Sequence, residues 1–364
     1  MPVKLKKAAV IGAGPIGCAT AGWLSRAGLE VGIYDVDPAA IEPIRRLKKV
    51  RLRRAAEIEA PIGLATTEIK EVLRDAHLIV LAVPASVHEE VAKQAALHIE
   101  DGAILVIQPG QTLSAVAFLN VARQNGLIGE LTPIQTLNTL FTARLAQPGV
   151  VDVFALKKFV RFAAQPAERT NEVACVLQPI FEHLTPADSI LEIDLHNFNA
   201  VLHPPITLLN VGLVDSATEF LYYMDGATPQ VARLVAAVDR ERLAILAGFG
   251  LPGLPILDWF KKAYNVSKED LYQAIAGTGP YKTIAGPTSM DTRLLLEDIP
   301  TGLVPYCSLA KLAGVEVPLM RSIVDTCCAI YEIDFWSTGR SLARLGLGKL
   351  SKDELLKQMG PGNR

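Results

Sequence analysis

A polar segment in the second half of the chain carries two histidines whose side chains could do chemistry. His196 and His203 lie in the sequence HNFNAVLHPP, which spans residues 196–205. A histidine with a pKa near neutrality can give and take a proton during a reaction, so His203 is a candidate general acid and base. On the pattern alone, an ordinary core or surface histidine fits His203 equally well. That interpretation is preferred for the four histidines without a partner motif nearby, which are His77, His88, His98 and His183.

A second segment, residues 292–305, supplies the charged groups that such a histidine would need. The planar guanidinium of Arg293 can hold a substrate carboxylate through two parallel hydrogen bonds. The carboxylate of Asp298 can accept a hydrogen bond from an imidazole and fix its tautomer. Glu297 and Asp298 fit equally well as solvated residues ahead of a turn. The first interpretation predicts proton transfer beside a bound carboxylate.

A glycine pattern near the N-terminus predicts a nucleotide site. In this pattern the first glycine allows a tight turn, the second lets the backbone approach a pyrophosphate, and the third permits close packing of a helix on a strand. The helix N-terminus adds amide donors and a partial positive charge. A tight turn without a ligand is the alternative, but it leaves unexplained an acidic residue, Asp35, at the end of the next strand. The pattern, here called the glycine loop, consists of Gly12, Ala13, Gly14, Pro15, Ile16 and Gly17.

Asp35 favours one of the two nicotinamide cofactors. Its carboxylate can accept hydrogen bonds from the adenosine ribose hydroxyls and would repel a 2′-phosphate, which predicts NAD rather than NADP. Arg45 and Arg46 keep NADP open as the less favoured alternative, because nearby arginines can serve a 2′-phosphate. The nicotinamide should then lie near Val83 and Pro84, at the carboxyl end of a later strand.

Short β-branched runs alternate with helical patterns from residue 8 to about residue 155, which predicts a doubly wound parallel sheet of the Rossmann type. Gln111 and Thr112 follow the strand-like run Ala103–Ile107. They could hydrogen-bond a substrate, although a plain helix start fits them equally well. A helix is expected from Pro15 to Ala27, with Gly28 as its C-cap. The four strand-like runs are Ala8–Ile11, Val31–Tyr34, Leu78–Val83 and Ala103–Ile107.

From about residue 190 onward the sequence shows long apolar stretches with helical periodicity and few strand signals. The second half is therefore predicted to be all-helical. We place the boundary near Thr185-Pro186, which gives an NAD-binding domain over residues 1–186 and a helical substrate domain over residues 187–364. A chain of 364 residues, half of them apolar, is long enough for two cores.

The composition excludes several classes of partner. With 36 basic and 38 acidic residues there is no net field to attract nucleic acid or an anionic membrane surface, so small molecules are the expected partners. No stretch reaches the ~18 apolar residues of a membrane helix. Five cysteines without a CxxC pair indicate buried thiols, no metal site and a reducing compartment, and residues 1–7 lack the pattern of a secretory signal. A cytoplasmic protein is expected; the oligomeric state stays open, with a homodimer as one option.

Two long motifs in this order resemble one enzyme family. The pattern NxxxHPxxxLLN spans residues 199–210, and EDxxTGLVP spans residues 297–305. They are similar to the NAD/NADP octopine and nopaline dehydrogenases, the opine dehydrogenase family, and particularly to its bacterial members. The likeness runs through nearly the whole chain, including the segments 141–142, 147–149, 285–287 and 342–347.

The resemblance implies a Rossmann domain followed by an all-helical opine dehydrogenase domain. It also implies a reaction, the NADH-dependent reductive condensation of an L-amino acid with a 2-oxo acid such as pyruvate, giving an N-(1-carboxyalkyl) amino acid. Carried over by motif, the histidine and aspartate of the family's cleft are His203 and Asp298, and the carboxylate-binding arginine is Arg293. Ala143 departs from the pattern, because some relatives have a cysteine near the oxo acid at this segment, so substrate preference can differ.

Two other interpretations stay open at this point. A 3-hydroxyacid or 6-phosphogluconate-like dehydrogenase would use a Lys-x-x-x-Asn pair, and Lys261 and Asn265 have that spacing, although far beyond the domain boundary. A catalytically silent NAD-binding regulator would keep the fold without turnover. The amino acid and oxo acid are not specified by the sequence. Residues that could line the pocket, or equally well fill the core, are Leu208, Leu209, Tyr222, Tyr223, Trp259 and Tyr281.

Overall fold

The computed structural model describes residues 5–362, and the chain within it forms two compact units. Unit 1 comprises residues 5–110, 114–193 and 357–362, and unit 2 comprises residues 111–113 and 194–356. The outer ends of the two predicted domains, residues 1–4 and 363–364, lie outside the described residues. The functional division at residue 186 stays a prediction.

Unit 1 is built on an eight-stranded sheet with the order β12-β11-β8-β7-β6-β1-β2-β5. All neighbours pair in parallel except β11, which runs antiparallel to β8. The strands of unit 1 are β1 (Lys7–Ile11), β2 (Glu30–Tyr34), β3 (Lys49–Arg54), β4 (Ile58–Pro61), β5 (Leu64–Thr66), β6 (Leu78–Leu81), β7 (Ala103–Ile107), β8 (Leu131–Thr136), β9 (Phe141–Gln147), β10 (Val150–Leu156), β11 (Val160–Ala164) and β12 (Leu184–Pro186).

Strand β1 lies in the interior of this sheet, third from one edge, with Val10 opposite Ile33 of β2 and Val80 of β6. These strands are buried on both faces, which explains why they are continuous apolar runs rather than alternating ones. The predicted strands β1, β2, β6 and β7 are confirmed to within two residues at each end. The helices of unit 1 are α1 (Pro15–Arg26), α2 (Pro38–Leu47), α3 (Ile69–Leu73), α4 (His88–Ala95), α5 (Ser114–Gln124) and α6 (Thr170–Leu177).

A second sheet of four strands, β4-β3-β10-β9, was not predicted. In β3 the buried Val50 and Leu52 alternate with the exposed Arg51, so the strand is amphipathic. Its many basic residues obscure the strand pattern in the sequence. The sheet packs against α1, where a Cβ on Gly22 would lie 3.2 Å from the side chain of Leu52. Gly22 in α1 thus lets the four-stranded sheet approach the helix. Gly17, at the start of the same helix, instead allows close approach to Gly12 at the end of β1.

Unit 2 consists of helices, with one isolated bridge between Leu221 and Ala285 among its described residues. The helices that begin in or belong to this half of the chain are α7 (Ile190–Asp194), α8 (Phe198–Leu209), α9 (Val211–Asp215), α10 (Pro229–Gly248), α11 (Ile256–Tyr264), α12 (Leu271–Gly277), α13 (Arg293–Leu296), α14 (Val304–Ala313), α15 (Pro318–Tyr331), α16 (Phe335–Thr338) and α17 (Lys352–Met359). The predicted helical character is confirmed.

Two irregular features of unit 2 position polar side chains. Helix α8 contains Pro204 and Pro205, which cannot donate the backbone hydrogen bonds of a regular helix. A π-helical turn, Ile299–Leu303, directly follows Asp298 and packs against α8. A Cβ on Gly302 in this turn would lie 2.7 Å from the Cβ of Ala200, so only glycine allows the approach. Among residues 5–362, no helix is both long enough and apolar enough to cross a membrane.

Candidate active site

The glycine loop connects β1 to α1 in unit 1, and each glycine has a different spatial role. Gly12 has a φ of +108°, and a Cβ there would lie 2.7 Å from the Ala82 carbonyl oxygen. A Cβ on Gly17 would lie 1.8 Å from the Gly12 carbonyl oxygen, so this glycine permits helix α1 to start close to the strand. A Cβ on Gly14 would meet no atom within 4 Å. The loop is therefore open at Gly14, where a pyrophosphate would approach.

The start of α1 suits an anion. Gly14 is the N-cap residue and Pro15 occupies the first helical position, where the missing amide hydrogen costs nothing. The first-turn amides of a helix have no partner within the helix, and the helix dipole places a partial positive charge there. Pro15 and Ile16 are partly exposed, whereas Gly17 is buried. The chemistry of these donors fits a dinucleotide phosphate.

Asp35 lies at the carboxyl end of β2 and bonds back to the glycine loop. Its Oδ2 accepts a hydrogen bond from the Ala13 amide at 2.7 Å, and its Oδ1 accepts one from the Asp37 amide at 3.0 Å. A carboxylate oxygen has two acceptor positions, so each oxygen can take one further hydroxyl. Asp35, the residue predicted to bind the ribose, is thus held in place by the same loop that would bind the phosphates.

Val83 lies against the glycine loop, because a Cβ on Gly12 would approach its Cγ1 to 2.8 Å. His88, predicted to be an ordinary histidine, is buried and its Nε2 lies 3.2 Å from the Val83 carbonyl oxygen. Pro84 is exposed beyond the end of β6. The structure thus brings Val83 next to the loop and leaves Pro84 at the adjoining surface.

Arg45, one of the two arginines that kept NADP open, is engaged elsewhere. It donates to the Ala65 carbonyl oxygen at 3.0 Å and pairs with Glu42 at 3.0 Å. Arg45 and Arg46 both lie in the last turn of α2, at the opposite end from Asp35.

His203 and Asp298 form a buried pair in unit 2. Nδ1 of His203 lies 2.7 Å from Oδ2 of Asp298. An ionised carboxylate can only accept, so Nδ1 carries the hydrogen and donates it to Asp298. The other ring nitrogen, Nε2, is then the atom that exchanges protons. The predicted pair is brought together by α8 and the segment before the π-helical turn.

Tyr223 is the hydrogen-bond partner of Nε2, the ring nitrogen of His203 that exchanges protons. Its hydroxyl lies 3.1 Å from Nε2 of His203. The neighbouring Tyr222 fixes the backbone at the same place, because its hydroxyl donates to the His203 carbonyl oxygen at 3.0 Å and pairs with Thr207 at 2.7 Å. From the sequence alone, both tyrosines are only candidates for lining the pocket or filling the core. No spacing rule connects them to His203.

Gln111 bridges two polar groups around the pair. Its side-chain nitrogen donates to Oδ1 of Asp298 at 3.1 Å, and its side-chain oxygen accepts a hydrogen bond from Asn197. Both oxygens of Asp298 thus have a donor. We call His203, Asp298, Gln111 and Tyr223 the histidine centre.

Thr112 is fully buried beside this centre. Its hydroxyl donates to the Asp194 carbonyl oxygen at 3.3 Å and accepts from Asn197 at 3.3 Å. The next residue, Leu113, has a φ of +60° and donates its amide to Oδ1 of Asp194 at 2.9 Å. The segment 111–113 is thereby held in a strained shape that turns Gln111 toward Asp298. Asn197 and Asp194, which hold this segment, carry no signal in the sequence that marks them for this role.

Arg293 begins helix α13 and is exposed. It lies close enough to Tyr223 to affect the hydroxyl electrostatically. Burial raises the pKa of Tyr223 above its usual range, Tyr264 and Asp298 raise it further, and Arg293 opposes them. Tyr223 therefore keeps its hydrogen at neutral pH and remains a donor.

The remaining candidates have structural contacts. Nε2 of His196 accepts the Leu254 amide at 3.0 Å. Lys261 pairs with Glu269 at 3.6 Å, and Asn265 ends α11 in a left-handed conformation with a φ of +55°. These contacts offer no support for a Lys-x-x-x-Asn centre.

The five cysteines are free thiols. Burial raises the pKa of Cys18, Cys307 and Cys327 to about 12, so these thiols stay neutral near pH 7. The expectation that all five are buried is wrong for Cys175, which is exposed, and Cys328 is partly exposed.

Two family models match the chain. The model of the NAD/NADP octopine/nopaline dehydrogenase alpha-helical domain matches residues 186–331, and that of the NAD-dependent glycerol-3-phosphate dehydrogenase N-terminus matches residues 7–110. Among curated proteins, the chain is similar to an opine dehydrogenase of Arthrobacter sp. (strain 1C). The two are 35% identical over 357 residues, which cover 96% of this chain and 97% of the relative.

Solved structures share the fold. Octopine dehydrogenase with NADH and L-arginine is 19% identical, with a TM-score of 0.79 and coverage of 99% of both chains. NADP⁺-bound yersinopine dehydrogenase is 17% identical, with a TM-score of 0.73 and coverage of 97% of this chain and 95% of that one. The predicted family resemblance and the predicted fold class are confirmed.

Proposed function

The chain belongs to the opine dehydrogenase family, an NAD(P)-dependent group of oxidoreductases acting on CH–NH groups, and on this premise we propose its reaction. The reaction is the reductive condensation of an L-amino acid with a 2-oxo acid, with NADH as reductant, and the reverse oxidation. The product is an N-(1-carboxyalkyl) amino acid. One observation carries the proposal, namely the buried His203 oriented through Nδ1 by Asp298.

The cofactor site that we propose is the glycine loop with Asp35, Val83 and Pro84. The amides that start α1 would bind the pyrophosphate at the open side of Gly14. Asp35 would bind the adenosine ribose, which favours NAD over NADP, and Arg45 is tied to Glu42 and Ala65. Bound NADH supplies the hydride that reduces the imine carbon.

The proton chemistry falls to His203. The amine and the oxo acid condense to a carbinolamine, whose hydroxyl leaves as water when it receives a proton. We assign that proton to the Nε2 side of His203, because Nδ1 is committed to Asp298. In the oxidation the same nitrogen takes the proton back. Asp298, fixed by Gln111, stabilises the imidazolium without giving up its own charge.

Two substrate carboxylates must be held. Arg293 is exposed at the start of α13 and can offer its guanidinium to one of them. We propose Gln111 for the second, in addition to its contact with Asp298. The hydroxyl of Thr112 already contacts Asp194 and Asn197. Thr112 would therefore contribute to substrate binding indirectly, by holding Gln111 in place.

We also propose that the NAD site belongs to residues 1–186 and the histidine centre to residues 187–364, with Gln111 and Thr112 contributed from the earlier segment. A cytoplasmic location fits five cysteines that are all free thiols.

The test is a screen of NADH oxidation by the full chain. L-amino acids are crossed with pyruvate and other 2-oxo acids, and mass spectrometry looks for the secondary amine with the combined mass expected after loss of water and gain of two hydrogens. Turnover with at least one pair is expected. Binding of NADH without any secondary amine across the panel would instead identify a silent NAD-binding regulator.

A further inference from the structure

Both nitrogens of the His203 ring have partners, and only one of the two partners can pass a proton onward. Nδ1 is held by Asp298, and Nε2 is held by the Tyr223 hydroxyl at 3.1 Å. Any proton that enters or leaves Nε2 must therefore pass through this hydroxyl, or Tyr223 must first move away.

The surroundings of Tyr223 oppose such a movement. Its ring stacks on that of Tyr281 with centroids 3.9 Å apart and an angle of 15°, and it packs edge-on against Tyr222 at 4.8 Å. Only 5% of Tyr223 is exposed. Swinging the ring away would separate these aromatic contacts and open a hole in the core of unit 2.

The hydroxyl also lies within the influence of the proposed carboxylate-binding group. Arg293 lowers the pKa of Tyr223 against the raising effect of burial, so the guanidinium acts on the side chain that covers Nε2. A substrate carboxylate held by Arg293 would therefore be brought toward Tyr223. The Tyr223 hydroxyl, which contacts Nε2 at 3.1 Å, would then lie between the imidazole and the substrate.

We propose that Tyr223 is a catalytic relay between His203 and the substrate, an inference that rests on the proposed function. In the reductive direction the Tyr223 O–H gives its hydrogen to the carbinolamine hydroxyl as the C–O bond breaks and water leaves. The tyrosine oxygen takes the hydrogen from Nε2 of His203 at the same time. The imidazolium becomes neutral imidazole, and Tyr223 ends as it began. The oxidation reverses both transfers.

The experiment compares two tyrosine variants in single turnovers. Tyr223→Phe removes the hydroxyl at Nε2, whereas Tyr264→Phe removes a hydroxyl from the same aromatic cluster, 3.3 Å from Tyr281 and without a contact to His203. Each protein is premixed with NADH, mixed with both substrates, and followed by NADH absorbance in mixtures of H₂O and D₂O. A curved dependence of the rate on the deuterium fraction indicates two hydrogens in flight, and a straight line indicates one.

Wild type and Tyr264→Phe are expected to give curved dependences and similar rates. Tyr223→Phe is expected to react roughly 10- to 100-fold more slowly, within the range lost with general acid catalysis, and to give a straight line. NADH affinity should be the same in all three.

Three results would overturn the relay. Tyr223→Phe could keep the wild-type rate and curvature, it could slow while remaining curved as a mere positioning residue would, or Tyr264→Phe could match it and show that protons leave toward Tyr264. Each is distinct from failure of the proposed function, in which the wild type itself makes no secondary amine.

Discussion

The glycine loop and the histidine centre are built by opposite means. The glycine loop acts through backbone: three residues matter because they lack a side chain, and the contacts that it offers are amides and a helix dipole. The histidine centre acts through side chains, and its four members come from residues 111, 203, 223 and 298. One site is local in sequence, and the other is assembled by the fold.

This difference determines which substitutions each site tolerates. Ala13 donates its backbone amide to Asp35, and Pro15 and Ile16 start helix α1, so the donors of the loop come from backbone rather than from side chains. In the histidine centre each side chain is a partner of another, and removing one leaves a buried polar group unpaired. Variants in the two regions should therefore fail in separable ways.

The largest effect is expected from His203→Ala. Loss of the imidazole removes general acid and base catalysis, so kcat should fall by roughly 10²- to 10⁴-fold. The glycine loop is untouched, so NADH affinity, measured by fluorescence titration, should stay within about twofold.

The matched control for that variant is His196→Gln. His196 lies in the same segment and is buried, but its Nε2 accepts the Leu254 amide rather than serving Asp298. His196→Gln should lower the melting temperature while kcat stays close to the wild-type value. A comparable loss of kcat in both variants, or full activity in His203→Ala, would refute the assignment.

The same difference explains what could be predicted from the sequence. The loop has a contiguous signature, and the continuous apolar runs gave the central strands. His203, Asp298 and Arg293 were identified by their residue chemistry and by motif resemblance rather than by a local spacing, because His203 and Asp298 are 95 residues apart and meet only after folding. Tyr223, Asn197 and Asp194 carry no spacing signal, and β3 was hidden by arginines that alternate with its buried residues.

Asp35→Ala should weaken the cofactor site without touching proton transfer. A hydrogen bond to a charged group contributes about 1.5–3 kcal/mol, so losing the equivalent of one such bond to the ribose should raise the NADH dissociation constant roughly 10- to 100-fold. Discrimination against NADPH should shrink as the negative charge disappears.

Asp37→Asn controls for the general field, because it removes a nearby charge while its side chain can still cap α2. The role of Asp35 would be contradicted if both variants lost discrimination against NADPH equally, or if the wild type already preferred NADPH.

Gly14→Ala should separate folding from binding in the loop. The added methyl meets no atom within 4 Å and the φ of −71° is ordinary, so the free energy of unfolding should change by less than about 0.5 kcal/mol. The same methyl lies where the pyrophosphate would approach, so NADH affinity should fall about tenfold.

Gly17→Ala is the opposite case. Its methyl would lie 1.8 Å from the Gly12 carbonyl oxygen, so it should destabilise unit 1 by about 1–3 kcal/mol or more in urea unfolding. If Gly14→Ala binds NADH as well as the wild type, the phosphate does not approach there.

The smallest effect tests whether the histidine centre also depends on a backbone approach. Gly302→Ala would place a methyl 2.7 Å from the Cβ of Ala200, one turn before His203 on α8. The strain should cost about 1–3 kcal/mol of stability, and separating α8 from the π-helical turn should lower kcat several-fold by lengthening the bond from His203 to Asp298.

Two further variants decide whether that contact is the cause. Ala200→Gly in the Gly302→Ala background removes the opposing methyl and should recover most of the lost kcat, a coupling that a double-mutant cycle measures. Gly212→Ala, whose added methyl meets no atom within 4 Å, should leave kcat unchanged. Recovery would show that a side-chain site assembled from distant segments still relies on one glycine to set its geometry. Additive losses would show instead that the π-helical turn acts on His203 by another route.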